Sequence, residues 1–147
     1  MEAKRWPTIL ATVPVVLSLA MGCTVVDSPE SAAKRWFHAG LKADGQTLGE
    51  LTCAAKQEEL QMSGAMLSAI LILGQAFLGG QSIEADTSAV KFTTIHDDGA
   101  SAQVRVTGTV RVSILAMWQN QPIDDTYYMV HEGGRWKWCG SQAASAW

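Results

Sequence analysis

The sequence predicts an α+β domain in which helices come first and an antiparallel, curved β-sheet follows. Three observations carry that prediction. Apolar residues recur at helical spacing behind a helix-start signal at Ser28-Pro29-Glu30-Ser31, and from Ser82 onward apolar and polar residues alternate with period two. Gly108 interrupts the longest alternating run, as a sharp bend or bulge in a strand does. Helices followed by a meander of strands is the α+β order.

Ser28 reads as an N-cap, Pro29 as the first helical residue and Glu30 as the acid that favours the first turn. Ala33, Trp36, Phe37 and Leu41 then fall on one face, and Asp44-Gly45 stops the helix. A second helix is predicted from Thr47, with Leu48, Leu51 and Cys53 inward, continuing through Glu58, Glu59 and Leu60. The segment from Gly64 to Leu78 is the most apolar part of the chain after the N-terminus. It is short for a membrane span, contains Gly74 and Gln75, and reads as a buried or groove-covering helix, with a lipid-inserting helix as the alternative. Ile83, Ala85, Val90, Phe92 and Thr94 form one strand region, and Asp97-Asp98-Gly99 a turn. Val104, Val106, Val110, Val112 and Ile114 alternate with Arg105, Thr107, Thr109, Arg111 and Ser113 in the longest strand. Gln119 to Pro122 is read as a loop, Ile123 to His131 as a strand, Glu132-Gly133-Gly134 as a hairpin turn and Arg135 to Cys139 as the last strand.

Ahead of this domain, Lys4 and Arg5 precede an apolar run from Thr8 to Leu19, then small residues up to Cys23, the pattern of an export signal. Leu19-Ala20-Met21-Gly22-Cys23 resembles the bacterial lipoprotein consensus, with Ala20 where Leu is usual. That resemblance implies a diacylglyceryl group on the Cys23 thiol and a mature chain starting there. An ordinary signal-peptidase cut at the same bond and an uncleaved anchor are the alternatives. The chain divides into a signal peptide (1–22), a lipidated cysteine with a short tether (23–28), one α+β domain (29–141) and a tail (142–147). Residues 24–28 span at most about 17 Å when extended, so the domain sits near its membrane. Thr24, in place of the Asp that retains such proteins at an inner membrane, implies outer-membrane sorting where there are two membranes.

The chain has three cysteines, Cys23, Cys53 and Cys139; lipidation of the first leaves an even pair on an oxidising side of the membrane. Such a pair commonly closes a disulfide, here around a loop of about 85 residues that is worth on the order of 4 to 5 kcal/mol in the chain-entropy model. Two buried free thiols are the alternative. No Cys-x-x-Cys or His-x-x-x-His spacing points to zinc or thioredoxin-type chemistry, and no cofactor is implied. Losing residues 1–22, with Glu2 against Lys4 and Arg5, takes the formal charge from −3 to −4. A weakly acidic domain without a basic stripe argues against nucleic acid as a partner.

Ser28-Pro29-Glu30-Ser31-Ala32-Ala33-Lys34-Arg35-Trp36-Phe37 with Leu41 and Asp44-Gly45, and the closing Glu132-Gly133-Gly134-Arg135-Trp136-Lys137-Trp138, resemble the nuclear transport factor 2-like superfamily. The likeness is to small bacterial lipoproteins carrying that domain directly after the lipobox, most of them functionally unassigned. It implies N-terminal helices packed in the concave face of a curved sheet, a cone, and it accommodates a Cys53–Cys139 pair. It also implies a pocket, for which Trp36, Phe77, Tyr127 and Trp136 are the lining candidates.

No catalytic residue is carried over, because no position matches a catalytic motif of the superfamily. Asp86, His96, Asp124, Asp125, Tyr127, Tyr128 and His131 are the titratable side chains an acid–base enzyme could use, and most border turns where polar groups are solvated. His38, beside Trp36 and Phe37, reads as a surface residue. Trp136 and Trp138 share strand parity and are expected in the core, while Trp118 and Trp147 are free to touch lipid or a partner. The sequence therefore favours a non-enzymatic, membrane-anchored binding or scaffolding module on the extracytoplasmic side, for a small apolar ligand, a peptide or an envelope protein. The alternative is a small-molecule isomerase or cyclase. Oligomeric state is left open, a homodimer included.

Overall fold

The computed structural model describes residues 27–64, 84–114 and 117–143. Cys23, Phe77, Trp147, the signal segment and nearly all of the apolar segment from Gly64 to Leu78 lie outside the described residues. Among the described residues no helix is long and apolar enough to cross a membrane.

Helix α1 spans Pro29–Leu41. The Ser28 hydroxyl accepts a hydrogen bond from the Ser31 amide at 3.1 Å, and Pro29 occupies the first turn, where no amide donor is needed. Its inward face is made of Pro29, Ala32, Ala33, Phe37 and Ala39. Two alanines facing the sheet let the helix axis approach closely. Helix α2 is short, Gly45–Glu50, with Asp44 as N-cap accepting from the Thr47 amide at 3.1 Å.

The chain then departs from the predicted second helix. It does not run on through Cys53: Leu51 to Cys53 leave the helix, and Cys53 is extended. The last strand explains the departure. The Cys53 amide donates to the Trp138 carbonyl at 2.8 Å and the Trp138 amide to the Leu51 carbonyl at 2.7 Å, a one-residue parallel bridge at Thr52. Open backbone groups on a strand edge outcompeted helix continuation. A 3₁₀ turn at Ala54–Lys56 and helical residues 57–64 follow.

The sheet comprises β1 (Glu84–Asp86), β2 (Lys91–Asp97), β3 (Ser101–Ile114), β4 (Met117–Glu132) and β5 (Arg135–Ala143). All ladders are antiparallel: β3 pairs with β4 along its whole length, β5 pairs with β4, and β1 and β2 both pair with β3. The predicted single strand over 83–94 is thus two pieces, split by a turn in which the Asp86 carboxylate accepts from the Ser88 amide at 2.9 Å. The predicted loop from Gln119 to Pro122 is strand, with Pro122 opposite Thr109. Proline is tolerated there because β5 pairs with β4 only from Asp125 onward, which leaves that part of β4 an edge among the described residues.

The cone is not formed. The sheet is open, ordered β1-β3-β4-β5 with β2 beside β1 on the same edge of β3, and it is neither closed by hydrogen bonds nor strongly curled. This corrects the curved-sheet expectation, and with it the likeness to the nuclear transport factor 2-like superfamily and its small lipoproteins. The misleading residue was Gly108. It has φ 129°, and a Cβ there would overlap the Ala89 carbonyl oxygen of the β1–β2 turn. Its glycine is required by backbone passing over backbone at the sheet edge, a local need that does not bend the sheet into a closed hollow.

The core lies between α1 and one sheet face: Ala32, Ala33 and Phe37 pack with Ala102, Val104, Val106, Tyr127, Met129 and Trp136, all buried. Val104, Val106 and Met129 are almost wholly inaccessible. Gly108→Ala is expected to destabilise the domain by about 2 to 4 kcal/mol, combining a positive-φ penalty with displacement of the β1–β2 turn. Urea unfolding measures it, and a loss below about 1 kcal/mol would contradict that crossing.

Candidate functional site

The most organised group of side chains sits where α1 crosses β4 and β5. Trp36, on α1, stacks on Trp138 of β5 with ring centres 4.2 Å apart and planes 14° from parallel. Tyr127, on β4, meets both rings edge-on, 5.5 Å from Trp36 and 6.5 Å from Trp138. The Trp36 indole N–H donates to the Thr52 hydroxyl at 3.0 Å, and that hydroxyl donates to the Leu48 carbonyl at 2.6 Å. Gln57 closes the network by donating from its side-chain amide to the Gly49 and Thr52 carbonyls at 2.6 and 2.9 Å. Thr52 is fully buried, and its hydroxyl is used in both directions, once as acceptor and once as donor.

Cys53 and Cys139 are joined by a disulfide next to this network, with Cα atoms 5.2 Å apart. The bond links the segment after α2 to β5 one residue beyond the Thr52–Trp138 bridge. Sequence reasoning had Cys53 on a helix, whereas it sits on an extended segment laid along the strand edge.

Of the four residues read as pocket lining, Trp36 and Tyr127 come together. Trp136 is buried further along β5, where its ring meets His131 edge-on at 5.2 Å, and its amide donates to the Asp27 carboxylate at 2.9 Å. Phe77 lies outside the described residues. Sequence reasoning missed Thr52 and Gln57, for which no sequence signal existed, and it missed the pairing of Trp36 with Trp138. The helical phase of Trp36 and the strand phase of Trp138 did point both rings inward, though not at one another.

The titratable candidates are dispersed by the pleat. Asp86, Asp124 and Tyr128 lie on the outer face. There Arg105 holds Asp124 by two hydrogen bonds of 3.1 and 3.0 Å, and the pair depresses the Asp124 carboxyl below its ordinary value. Arg111 stands 3.9 Å from Asp86 and 5.1 Å over the Trp118 ring. His96 belongs to the Asp97-Asp98-Gly99 turn, 3.9 Å from Asp98. Asp125, Tyr127 and His131 share the parity of the inner face; His131 is exposed at the hairpin end against Trp136, and Asp125 and Tyr127 are the two with limited exposure. Desolvation by burial pushes the Asp125 carboxyl up, against the pull of the Thr126 amide bonded to it at 2.9 Å, and nearby Asp124 adds to the rise. Burial, then the Asp125 charge, push the Tyr127 phenol up, so it stays protonated across the physiological range. Among the described residues no group of His, Cys, Asp and Glu gathers as a metal site.

No protein-family model matches this chain, and no curated protein does. Among solved structures it is similar to the solution structure of a SEC-C motif containing protein from Rhodopseudomonas palustris, with a TM-score of 0.52 and 15% sequence identity over 81% of this chain and 80% of that one. The likeness is one of fold alone.

Removing the disulfide with Cys53→Ala and Cys139→Ala together is expected to cost about 2 to 5 kcal/mol. Thr52→Val strands the Trp36 indole N–H and the predicted loss is about 1 to 3 kcal/mol, most of it relieved when Trp36→Phe is added; a double-mutant cycle by urea unfolding reads the coupling. Asp125 supplies a pH test. Its carboxyl is raised on folding, so the native state holds that proton more tightly than the unfolded chain. The associated stability is full below the ordinary carboxylate value and is lost as pH rises through the folded value. Asp125→Asn, which keeps an acceptor for the Thr126 amide, should therefore stabilise at pH 7 and be neutral near pH 3. A variant less stable than the parent at pH 7 would refute the desolvated carboxylate.

Proposed function

We propose that the chain is an exported domain, tethered to an envelope membrane by a lipid on Cys23, that acts as a non-enzymatic binding or scaffolding module for a peptide, an apolar ligand or an envelope protein. The observation that carries this reading is the Cys53–Cys139 disulfide. It spans 86 residues and ties the helical segment to the last strand, an arrangement that persists in oxidising compartments and is rare in reducing ones. It also uses the two cysteines that remain once Cys23 is modified.

Two further features support a binding role. The inner aromatic group packs on itself: Trp36, Tyr127 and Trp138 meet ring to ring, and Thr52 takes up the Trp36 indole N–H, while the buried Trp138 indole N–H has no partner among the described residues. At the β3–β4 end of the sheet, Met117 and Trp118 are exposed, 62% and 48%. The opposite end of the sheet receives the incoming chain, where Asp27 accepts from the Trp136 amide. A tether at one end and exposed apolar side chains at the other suit a module that is held in place and reaches a partner. A second reading, an acid–base enzyme acting on a small molecule, has one observation in its favour: the raised Asp125 carboxyl beside Tyr127. Arg105 occupies Asp124 on the other face, and His131 stands exposed at the hairpin end of the inner face against Trp136.

Intact mass of the membrane-extracted protein tests the proposal. The expected result is a chain beginning at Cys23 with a lipid-sized increment, in which Cys53 and Cys139 react with an alkylating agent only after reduction. An unmodified chain starting at Cys23 would remove the anchor, and free thiols at Cys53 and Cys139 would remove the oxidising compartment.

A further inference from the structure

The outer side of α1 carries a concentration of positive charge that neither the fold nor the core explains. Lys34, Arg35, His38 and Lys42 line a shallow cleft of about 320 Å³ with Ser31 and Asp44, between α1 and the start of α2. Three permanent cations stand there against one carboxylate, that of Asp44, which is held by the Thr47 amide and hydroxyl at 3.1 and 2.6 Å. Arg35 is partly compensated by Asp27 at 3.4 Å, and among the described residues Lys34 and Lys42 have no carboxylate partner. The same two lysines, after the effect of burial, hold His38 below its ordinary value, as closely grouped positive charge does. On a domain with a net charge of −4 after loss of residues 1–22, such a face is an asymmetry and not a sample of the average surface.

We infer that this face of α1 docks on anionic phospholipid headgroups, with Lys34, Arg35 and Lys42 supplying ammonium and guanidinium donors to phosphate oxygens. The inference deepens the anchoring proposal and rests on it in one respect: a lipid on Cys23 leaves only residues 24–28 before α1, about 17 Å of chain, so α1 cannot stand far from the bilayer. Charge selects which side turns to the lipid. The sheet end nearest the tether mixes Asp97, Asp98 and Glu132 with Arg135 and Lys137, the last 3.9 Å from Glu132, whereas on the outer side of α1 Lys34 and Lys42 stand without a carboxylate partner among the described residues. The long apolar stems of the lining Lys34 and Lys42 suit an interface that is part headgroup and part water. The orientation turns the outer sheet face, with its Arg105–Asp124 pair, away from the membrane.

The test is differential labelling of lysines on the full chain extracted from membranes and reconstituted into vesicles of phosphatidylcholine alone or of phosphatidylcholine with phosphatidylglycerol. A water-soluble amine reagent and peptide mass analysis read Lys34 and Lys42 against Lys91, which is exposed on β2. Slower modification of Lys34 and Lys42, by about fivefold, is expected in the anionic vesicles only, with Lys91 unchanged, and loss of the protection in about 0.5 M salt. Equal reactivity in both vesicles would overturn the inference. So would protection reproduced by inorganic phosphate without anionic lipid, which would make the cleft a site for small anions. Intact mass of the same sample reports the anchor separately, so the lipid on Cys23 and the headgroup contact can each fail without the other.

Discussion

The fold depends on how the segment after α2 is attached to the edge of β5. Among the described residues, α2 packs on α1, and the segment that follows it reaches the sheet directly through the Thr52–Trp138 bridge, the Cys53–Cys139 disulfide and the Ala54 amide, which donates to the Glu132 carboxylate at 3.2 Å. Two backbone hydrogen bonds, one disulfide and one indole–hydroxyl bond converge within the residues Leu51 to Cys53. Each has a different physical character. The backbone pair satisfies groups that a strand edge would otherwise give to water. The disulfide restricts the unfolded chain, and the Trp36 bond relieves an indole that would otherwise be buried without an acceptor. Because these act on one short segment, they cooperate, and Trp36 becomes the residue through which α1, α2 and β5 share a boundary.

That convergence also defines what the aromatic group can do. Rings that stack and meet edge-on, with the Trp36 indole N–H bonded to Thr52 and the Trp138 indole N–H buried, make a packed wall, not an open hollow. The inner face beyond it is apolar along β3, at Val106, Val110 and Val112, and along β4 it turns polar at Asp125, Gln121 and Gln119, with Ile123 between them. The apolar part of the sheet face serves packing, and the chemistry available near it reduces to one carboxylate whose neighbours discourage its charge.

Much of the local structure was legible in the sequence. Ser28-Pro29-Glu30 marked the start of α1 because capping is a local, short-range interaction, and the alternation from Val104 to Ser113 marked β3 because the pleat imposes its period directly. The β4–β5 hairpin was readable from Glu132-Gly133-Gly134, where both glycines adopt positive φ. Three features were not legible, each decided by a partner distant in sequence. Helix continuation through Cys53 lost to hydrogen bonds offered by Trp138. The strand over 83–94 was broken by a turn whose effect is felt at Gly108 on the neighbouring strand, and that glycine looked like a bend because a bend and a close crossing require the same missing Cβ. Pro122 looked like a loop because sequence does not say where β5 stops. The candidate residues fared likewise. Parity brought Trp36 and Trp138 to the same layer, but Thr52 and Gln57 have no signature until the backbone groups they satisfy are in place.

The division of the edge strand into β1 and β2 has a consequence for how the domain behaves among copies of itself. A sheet that does not close has edges that can recruit other strands, and among the described residues there are three such stretches: the outer side of β1 and β2, the part of β4 before Asp125, and β5. The first is cut by the turn over Gly108, and the Thr94 amide on β2 donates to the Glu30 carboxylate of α1 at 2.7 Å. The second contains Pro122, which offers no donor. The third carries the Leu51–Cys53 segment. An incoming strand would meet an interruption on each, so many copies of the domain at high local concentration can remain separate molecules.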